Sequence, residues 1–286
     1  MTTTSIKSVA VVGCGLMGSG VADICSRAGL NVVVIERDKE ALAIGLSRIK
    51  LAHDRAINKG TMSEIESVTL LAGIAGATEF AALHDCDLII EAVSENLEIK
   101  SETFKQIDQH AKSGAILASN TSSIPIATIG AFTSRPESVV GLHFFNPVQV
   151  MSLVEVVAST STSDDVVQTC ISFARDVLNK KPIVCVDRSG FVVNALLIPY
   201  LCSAIRMLEN KVATAADIDT GMVEGCAHPI GPLALCDLIG LDTVAAIANT
   251  LADELEDEYL RPPALLNTMI TAGDLGRKTG QGFFSY

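Results

Sequence analysis

The fold of this chain is decided by the stretch Val9-Ala10-Val11-Val12-Gly13-Cys14-Gly15-Leu16-Met17-Gly18. Its four apolar residues predict a buried strand, and the glycine pattern GxGxxG predicts a tight turn into a helix. Gly13 would permit the turn, Gly15 would let the backbone approach a pyrophosphate, and Gly18 would allow close helix–strand packing. The pyrophosphate would then lie at the helix N-terminus, where backbone N–H groups favour negative charge. An ordinary glycine-rich turn is the alternative reading.

A second predicted strand ends in an acidic residue. The run Val32–Ile35 is followed by Glu36, eighteen residues after Gly18. A carboxylate at about this spacing binds the adenosine ribose hydroxyls in dinucleotide-binding folds. Glu36 would repel a 2′-phosphate, which favours NAD over NADP, whereas the neighbouring Arg37 would partly offset that repulsion. The two strands together therefore predict a dinucleotide site that prefers NAD.

The composition limits what else the protein can be. A chain of 286 residues suits one large domain or two modest ones. Hydrophobic residues make up 49% but aromatic residues only 4%, so small aliphatic side chains must fill a core like that of a parallel sheet. The formal net charge of −12 argues against a general nucleic-acid or anionic-membrane surface. An anionic substrate would need a local basic patch.

Cysteine usage and hydropathy favour a cytoplasmic protein. The eight cysteines are scattered without a CxxC pair, so we expect reduced thiols in the core and neither disulfides nor a metal site. The polar start Met1–Lys7 leads directly into the first strand, which predicts no signal peptide. The longest apolar stretch, Phe191–Leu208, contains Asn194, Pro199 and Arg206, which favours a buried helix over a membrane span.

Strand-like and helix-like segments alternate through the first two-thirds of the chain. Short β-branched runs occur at Val9–Val12, Val32–Ile35, Leu88–Ile90, Ile116–Ala118 and Val139–Leu142. Amphipathic segments lie between them, such as Lys39–Lys59 and Glu98–Ala111. The alternation predicts an α/β fold with a Rossmann-like, doubly wound parallel sheet. From Gly190 the pattern is helical throughout, so we expect a dinucleotide-binding domain over residues 1–188 and an all-helical domain over residues 189–286.

His143 is the histidine with the most suggestive surroundings. It lies at the end of a predicted strand, where ligands gather in open parallel sheets. Glu155 follows twelve residues later, in a short apolar strand that could run alongside. A carboxylate at one ring nitrogen allows the other nitrogen to accept a proton. A lone histidine is more often packed or on the surface, and we prefer that reading for the four without this setting, which are His53, His84, His110 and His228.

Several further motifs follow one another along the chain. They are Glu91–Leu97, Ser119–Ser123 with Gly141–Pro147, Gly190–Asn194, His228–Leu233 and Gly276–Phe283. With the glycine loop, these motifs closely resemble those of the 3-hydroxyacyl-CoA dehydrogenase family, in particular its monofunctional 3-hydroxybutyryl-CoA dehydrogenases. The resemblance covers essentially the whole chain. It implies an NAD-dependent interconversion of a (3S)-3-hydroxyacyl-CoA, with a short acyl chain, and the 3-oxoacyl-CoA, in fatty-acid or butanoate metabolism.

The resemblance also implies roles for individual residues. His143 would be the general base and Glu155 the acid that orients it, while Asn194 and Ser122 would hold the reacting oxygens of the substrate. The residues implied in cofactor binding are Gly13, Gly15, Leu16, Met17, Gly18, Glu36, Glu95, Lys100, Ser122, Asn146 and Lys278. Glu36 departs from the Asp that the family often has at the ribose position, a change that preserves the charge.

Arg55 and Lys59 match basic positions that hold CoA phosphates in the family, although a solvated helix face is the alternative reading. The family and the apolar helical domain imply a homodimer, with no nucleic-acid or membrane partner. Two other functions stay open. A dehydrogenase of a free 3-hydroxy acid would not need Arg55 and Lys59. A non-catalytic dinucleotide-binding protein would not need His143, Glu155 and Asn194, which are all present.

Overall fold

The computed structural model describes residues 6–286 and divides the chain into two compact units, Met1–Arg188 and Ser189–Tyr286. The first unit is built on one eight-stranded sheet with helices, and the second is formed by helices. The predicted fold class, a Rossmann-like α/β sheet followed by a helical region, is confirmed.

The sheet of the first unit is mostly parallel. Its strands are β1 (Ser8–Val12), β2 (Asn31–Ile35), β3 (Ile74–Ala77), β4 (Leu88–Glu91), β5 (Ile116–Ser119), β6 (Val139–Phe144), β7 (Leu153–Ala158) and β8 (Lys181–Val186). They follow the order β3-β2-β1-β4-β5-β6-β7-β8. Strands β1 to β6 run parallel, β7 runs antiparallel to β6, and β8 runs parallel to β7.

The position of β1 explains where a ligand would bind. β1 pairs with β2 on one side and with β4 on the other, so the strand order reverses there and a crevice opens beyond the carboxyl ends of these strands. Val9–Val12 are at most 3% exposed, because helices cover both faces of the sheet. The same burial explains the uninterrupted apolar run of β1.

Six α-helices lie in the described part of the first unit, residues 6–188: α1 (Leu16–Arg27), α2 (Lys39–Asn58), α3 (Glu64–Ala72), α4 (Leu97–His110), α5 (Ile126–Gly130) and α6 (Asp164–Ser172). α2 begins where the Asp38 side chain accepts a hydrogen bond from the Ala41 N–H group, and Asn96 caps α4 in the same way. The helix predicted over Lys39–Lys59 is one residue shorter because Lys59 is its C-cap.

Asp87 ties the start of β4 to the start of β1. Its carboxylate accepts hydrogen bonds from the N–H groups of Lys7 and Ser8 and from the Lys112 ammonium, whose Nζ lies 2.6 Å away. Burial acts to raise the pKa of this carboxyl, but the bonds from Lys112, Lys7 and Ser8 outweigh burial and lower it to about 2. The charged form of Asp87 therefore stabilises the amino edge of the sheet.

The second unit packs five helices around an aliphatic core. They are α7 (Val193–Glu209), α8 (Ala215–Cys226), α9 (Pro232–Ile239), α10 (Leu241–Leu255) and α11 (Ala264–Ala272). The helix predicted over Phe191–Leu208 starts only at Val193, because Gly190 and Phe191 both have positive φ. Asp237, which is 1% exposed, accepts the N–H groups of Phe283 and Phe284 and so anchors the end of the chain.

All eight cysteines are free thiols. The expectation that they fill the core holds for six, which are Cys14, Cys25, Cys86, Cys170, Cys202 and Cys236. Cys185 is only half-buried, and the expectation is wrong for Cys226, which ends α8 with an exposed side chain.

Within residues 6–286, no single helix is long and apolar enough to cross a membrane, although α9 and α10, which meet at a bend of 98°, are together long and apolar enough. No group of three or more His, Cys, Asp or Glu side chains in this range could hold a metal ion.

Candidate active site

The glycine loop joins β1 to α1 at the carboxyl edge of the sheet. Gly13 has a φ of +91°, and a Cβ there would lie 2.8 Å from the backbone of Ala92. A Cβ on Gly18 would overlap the carbonyl oxygen of Gly13, so the helix lies directly against the turn. At Gly15, by contrast, a Cβ would meet no described atom within 4 Å. The backbone at Gly15 is therefore open to a ligand.

The first turn of α1 is suited to an anion. No side chain caps it and no acidic residue lies in it, so the N–H groups around Leu16 and Met17 have no competing acceptor from the helix itself. Glu36 lies beside this turn, where its Oε1 accepts the Cys14 N–H at 2.6 Å and its Oε2 accepts the Arg37 N–H at 3.2 Å. An open glycine, an uncapped helix start and a carboxylate at the end of β2 fit a dinucleotide.

His143 and Glu155 face each other across β6 and β7. They are register partners in this antiparallel pair, so both side chains lie on the same side of the sheet. His143 Nδ1 lies 2.6 Å from Glu155 Oε2; the histidine is 6% exposed and the carboxylate is fully buried. β6 extends to Phe144, two residues beyond the predicted strand, so His143 is held by the ladder itself. The ring orientation is therefore fixed by both the strand and the carboxylate.

Glu95 organises the loop that follows β5. Its Oε1 accepts the Thr121 hydroxyl at 2.5 Å, the Ser122 N–H at 3.0 Å and the Ser123 N–H at 3.1 Å. Burial acts to raise the pKa of Glu95, but the Lys100 charge and the hydroxyl bonds from Thr121 and Ser123 outweigh it and hold the pKa below its usual range. Glu95 is therefore an anion that fixes the backbone at Ser122.

Lys100 points inward. Its side chain is 1% exposed, and its Nζ lies 2.6 Å from a Glu91 oxygen and 3.2 Å from a Glu95 oxygen. Glu91 was not among the predicted site residues, although a carboxylate directly after the buried run Leu88–Ile90 marks the carboxyl end of a strand.

Three other predicted positions in the first unit are exposed. Asn146 follows β6, at a cis peptide bond with Pro147. Arg55 lies in the last turn of α2 and Lys59 is the helix C-cap, four residues further on. Neither basic side chain has an ion-pair partner within residues 6–286, so both charges are available to an anion.

The two remaining predicted residues belong to the second unit. Asn194 is the second residue of α7 and is 8% exposed. Lys278 forms an ion pair with Asp242, with Nζ 2.6 Å from Oδ2. Aspartate pairing reduces the charge that Lys278 can offer to a cofactor.

Among the other histidines, the expectation of a packed or surface position holds for His53, which packs in the interior. His53 is fully buried, and its Nε2 lies 2.8 Å from Oδ1 of the buried Asp23, while its Nδ1 lies 3.0 Å from the Ser67 hydroxyl. His53 therefore has a carboxylate partner that its sequence surroundings did not reveal. Asp23 also accepts a hydrogen bond from Gln149 at 2.9 Å, so this pair joins α1, α2 and the segment after β6.

Comparison with known proteins identifies the family. Residues 8–188 match the model of the 3-hydroxyacyl-CoA dehydrogenase NAD-binding domain, and residues 190–286 match the model of the 3-hydroxyacyl-CoA dehydrogenase C-terminal domain. The chain belongs to the 3-hydroxyacyl-CoA dehydrogenase family, is an oxidoreductase, and has the domain that binds a nicotinamide dinucleotide.

Individual relatives match over nearly the full length. The 3-hydroxybutyryl-CoA dehydrogenase of Mycobacterium tuberculosis is 46% identical over 99% of both chains. Human mitochondrial hydroxyacyl-coenzyme A dehydrogenase is 38% identical over 98% of this chain and 91% of its own length. The crystal structure of (S)-3-hydroxybutyryl-CoA dehydrogenase from Ralstonia eutropha superposes with a TM-score of 0.92 at 42% identity, covering 99% of each chain.

Proposed function

We propose that this protein interconverts a (3S)-3-hydroxyacyl-CoA and the 3-oxoacyl-CoA with NAD(H), and that the acyl group is short, as in 3-hydroxybutyryl-CoA. The observation that carries the proposal is the buried contact of 2.6 Å between His143 and Glu155. Oxidation of an alcohol needs a base that removes the hydroxyl proton as the hydride departs, and an oriented imidazole is such a base. Full-length relatives named as 3-hydroxybutyryl-CoA dehydrogenases support this choice of substrate.

His143 acts as the general base. With its Nδ1 protonated and donating to Glu155, the imidazole accepts the 3-hydroxyl proton at Nε2. The Glu155 carboxylate stabilises the imidazolium that forms. A bound nicotinamide supplies the acceptor for the hydride from C3, so the alcohol loses one proton and one hydride and becomes a ketone. By resemblance to the family, Ser122 and Asn194 hold the reacting oxygens of the substrate.

Glu36 selects NAD over NADP. Its carboxylate is fixed by the N–H groups of Cys14 and Arg37, beside the uncapped start of α1. The ribose hydroxyls of NAD can donate to this carboxylate, whereas a 2′-phosphate would place a second anion next to it. Lys278, Asn146 and Glu95 are assigned to the cofactor on the resemblance to the family.

Arg55 and Lys59 bind phosphates of CoA. They are exposed, four residues apart at the end of α2, and therefore on one side of the helix. In a chain of net charge −12, these two basic side chains, which have no ion-pair partner in the described part of the chain, are the local attraction that an anionic thioester requires. A free 3-hydroxy acid lacks these phosphates and would gain nothing from the pair.

The protein acts in the cytoplasm as a homodimer that assembles through the helical unit, in fatty-acid or butanoate metabolism. Leu196 and Met207 on α7 are 71% and 44% exposed, and their spacing of eleven residues places them on one helix face. Apolar side chains on one face favour burial against a second copy. Light scattering of the purified protein measures the mass directly.

The activity is tested by comparing three substrates with NAD+: the (3S)- and (3R)-isomers of 3-hydroxybutyryl-CoA, and free (3S)-3-hydroxybutyrate. We expect rapid reduction of NAD+ with the (3S)-thioester alone. Equal rates with the free acid would replace the proposal by a hydroxy-acid dehydrogenase. No reduction of NAD+ with any of the three would indicate a protein without this activity.

A further inference from the structure

A buried cation lies between two carboxylates at the carboxyl end of β4. Lys100 is 1% exposed and contacts Glu91, which is fully buried, and Glu95. A buried lysine is retained only with compensating anions, because an unpaired charge away from water is strongly unfavourable. The Lys100 ammonium is thus committed to the protein interior.

Three donors hold the Glu91 carboxylate. Its Oε1 accepts the Lys100 ammonium at 2.6 Å and the Val93 N–H at 2.8 Å, and its Oε2 accepts the Ser119 hydroxyl at 2.6 Å. Val93 follows β4 and Ser119 ends β5. The carboxylate therefore fixes the ends of two neighbouring strands and holds Lys100 beside them.

The other end of this arrangement is the loop that carries Ser122. Glu95 accepts the N–H groups of Ser122 and Ser123, and Lys100 holds Glu95 in place. The same loop is tied to the strand of His143, because the Asn120 side-chain oxygen accepts the Phe144 N–H at 2.9 Å. The Asn120 N–H in turn donates to the Glu91 carbonyl oxygen at 2.8 Å.

We infer that Glu91, Lys100 and Glu95 form a positioning chain that sets the Ser122 loop relative to His143. In this positioning chain, Glu91 fixes the Lys100 ammonium, Lys100 fixes the Glu95 carboxylate, and Glu95 binds the backbone of the loop. The inference rests on the proposed function, because Ser122 there contacts the substrate. It gives Lys100 a positioning task besides the cofactor contact that the family resemblance implies.

The positioning chain predicts a specific effect on the single-turnover rate. Glu91→Gln keeps the side-chain size but leaves Lys100 with a single carboxylate partner, so Lys100 and Glu95 relax and the loop moves. A displacement of about 1 Å in a substrate-positioning group lowers the rate by up to about 100-fold. We expect the single-turnover rate of NADH oxidation by acetoacetyl-CoA to fall by at least about tenfold. The rate is measured at saturating NADH, so that any rise in the Kd for NADH caused by displacement of Glu95 does not by itself lower it.

A second variant distinguishes a positioning effect from a loss of the folded structure. Glu91→Gln with Lys100→Gln removes both charges together, so no unpaired charge is left buried, and its thermal unfolding shows whether the protein is folded. The matched control is Asp87→Asn with Lys112→Gln, which removes the carboxylate–lysine pair at Asp87, directly before the amino end of β4. The control should lower thermal stability and leave the single-turnover rate unchanged.

The results separate the inference from the function on which it rests. If wild-type protein does not reduce acetoacetyl-CoA, the proposed function fails. If wild type is active and the folded Glu91 variants react at its rate, the positioning chain is wrong. It is equally wrong if the Glu91 variants reach the wild-type rate at saturating NADH, because Glu91 and Lys100 would then act only through the affinity for the cofactor. A rate loss in the Glu91 variants that persists at saturating NADH, and that the control does not show, supports the positioning chain.

Discussion

Replacing Glu155 by Gln removes the negative charge next to His143 and keeps the size of the side chain. The carboxylate is fully buried and lies 2.6 Å from the ring nitrogen, so water does not screen the pair. Opposite unit charges about 4 Å apart attract by about 4 kcal/mol at an effective dielectric constant of about 20. If half of the positive charge has formed on the imidazole in the transition state, about 2 kcal/mol is lost, or about 30-fold in rate; full proton transfer gives nearly 1,000-fold.

The assay is the single-turnover oxidation of (3S)-3-hydroxybutyryl-CoA by NAD+, with NADH binding measured separately. The Glu155→Gln rate should fall within that range, and the Kd for NADH should stay the same. His143→Ala should lower the rate at least as much, and the double variant little further, because residues that act as a unit are not additive. If the two single losses multiply in the double variant, His143 and Glu155 act independently and the proposed pair is refuted.

Three other perturbations test separate parts of the site. NADH should be preferred to NADPH in kcat/KM, and Glu36→Ala should narrow the difference; an unchanged ratio would remove Glu36 from the ribose site. Ala at both Arg55 and Lys59 should raise KM for the thioester far more than for NADH, whereas Lys50→Ala, whose charge already pairs with Asp54, should change neither. The pKa of Asp87 is lowered to about 2, so its stabilisation is present at neutral pH and lost as pH falls from about 4 to about 2. Unfolding of Asp87→Asn should depend less on pH in that window; an identical slope would contradict this assignment.

Local sequence patterns were sufficient to predict the centre of the sheet. The runs at β1, β2 and β4 are apolar because both faces of the sheet are covered there. An uninterrupted apolar run in the sequence therefore indicates such a buried strand. β3 (Ile74–Ala77) and β8 (Lys181–Val186) were not predicted. β3 contains Gly76, while β8 lies at an edge with a proline at its second position and two exposed valines, so neither has the composition of a buried strand.

The contacts between distant residues were the harder part of the site. His143 and Glu155 are twelve residues apart on two predicted strands, so their proximity could be anticipated. His53 and Asp23 are thirty residues apart on two different helices, and no periodicity relates a residue on α1 to one on α2. The burial of Lys100 depends in the same way on where β4, α4 and the loop after β5 meet. Sequence patterns indicate which faces are buried, and tertiary packing decides which polar groups meet there.

The most direct test of the central claim is the initial rate of NADH oxidation by purified protein with acetoacetyl-CoA, compared with free acetoacetate at the same concentration. We expect rapid oxidation with the thioester, little with the free acid, and loss of the reaction in His143→Ala. Equal rates with thioester and free acid, or a fully active His143→Ala protein, would contradict it.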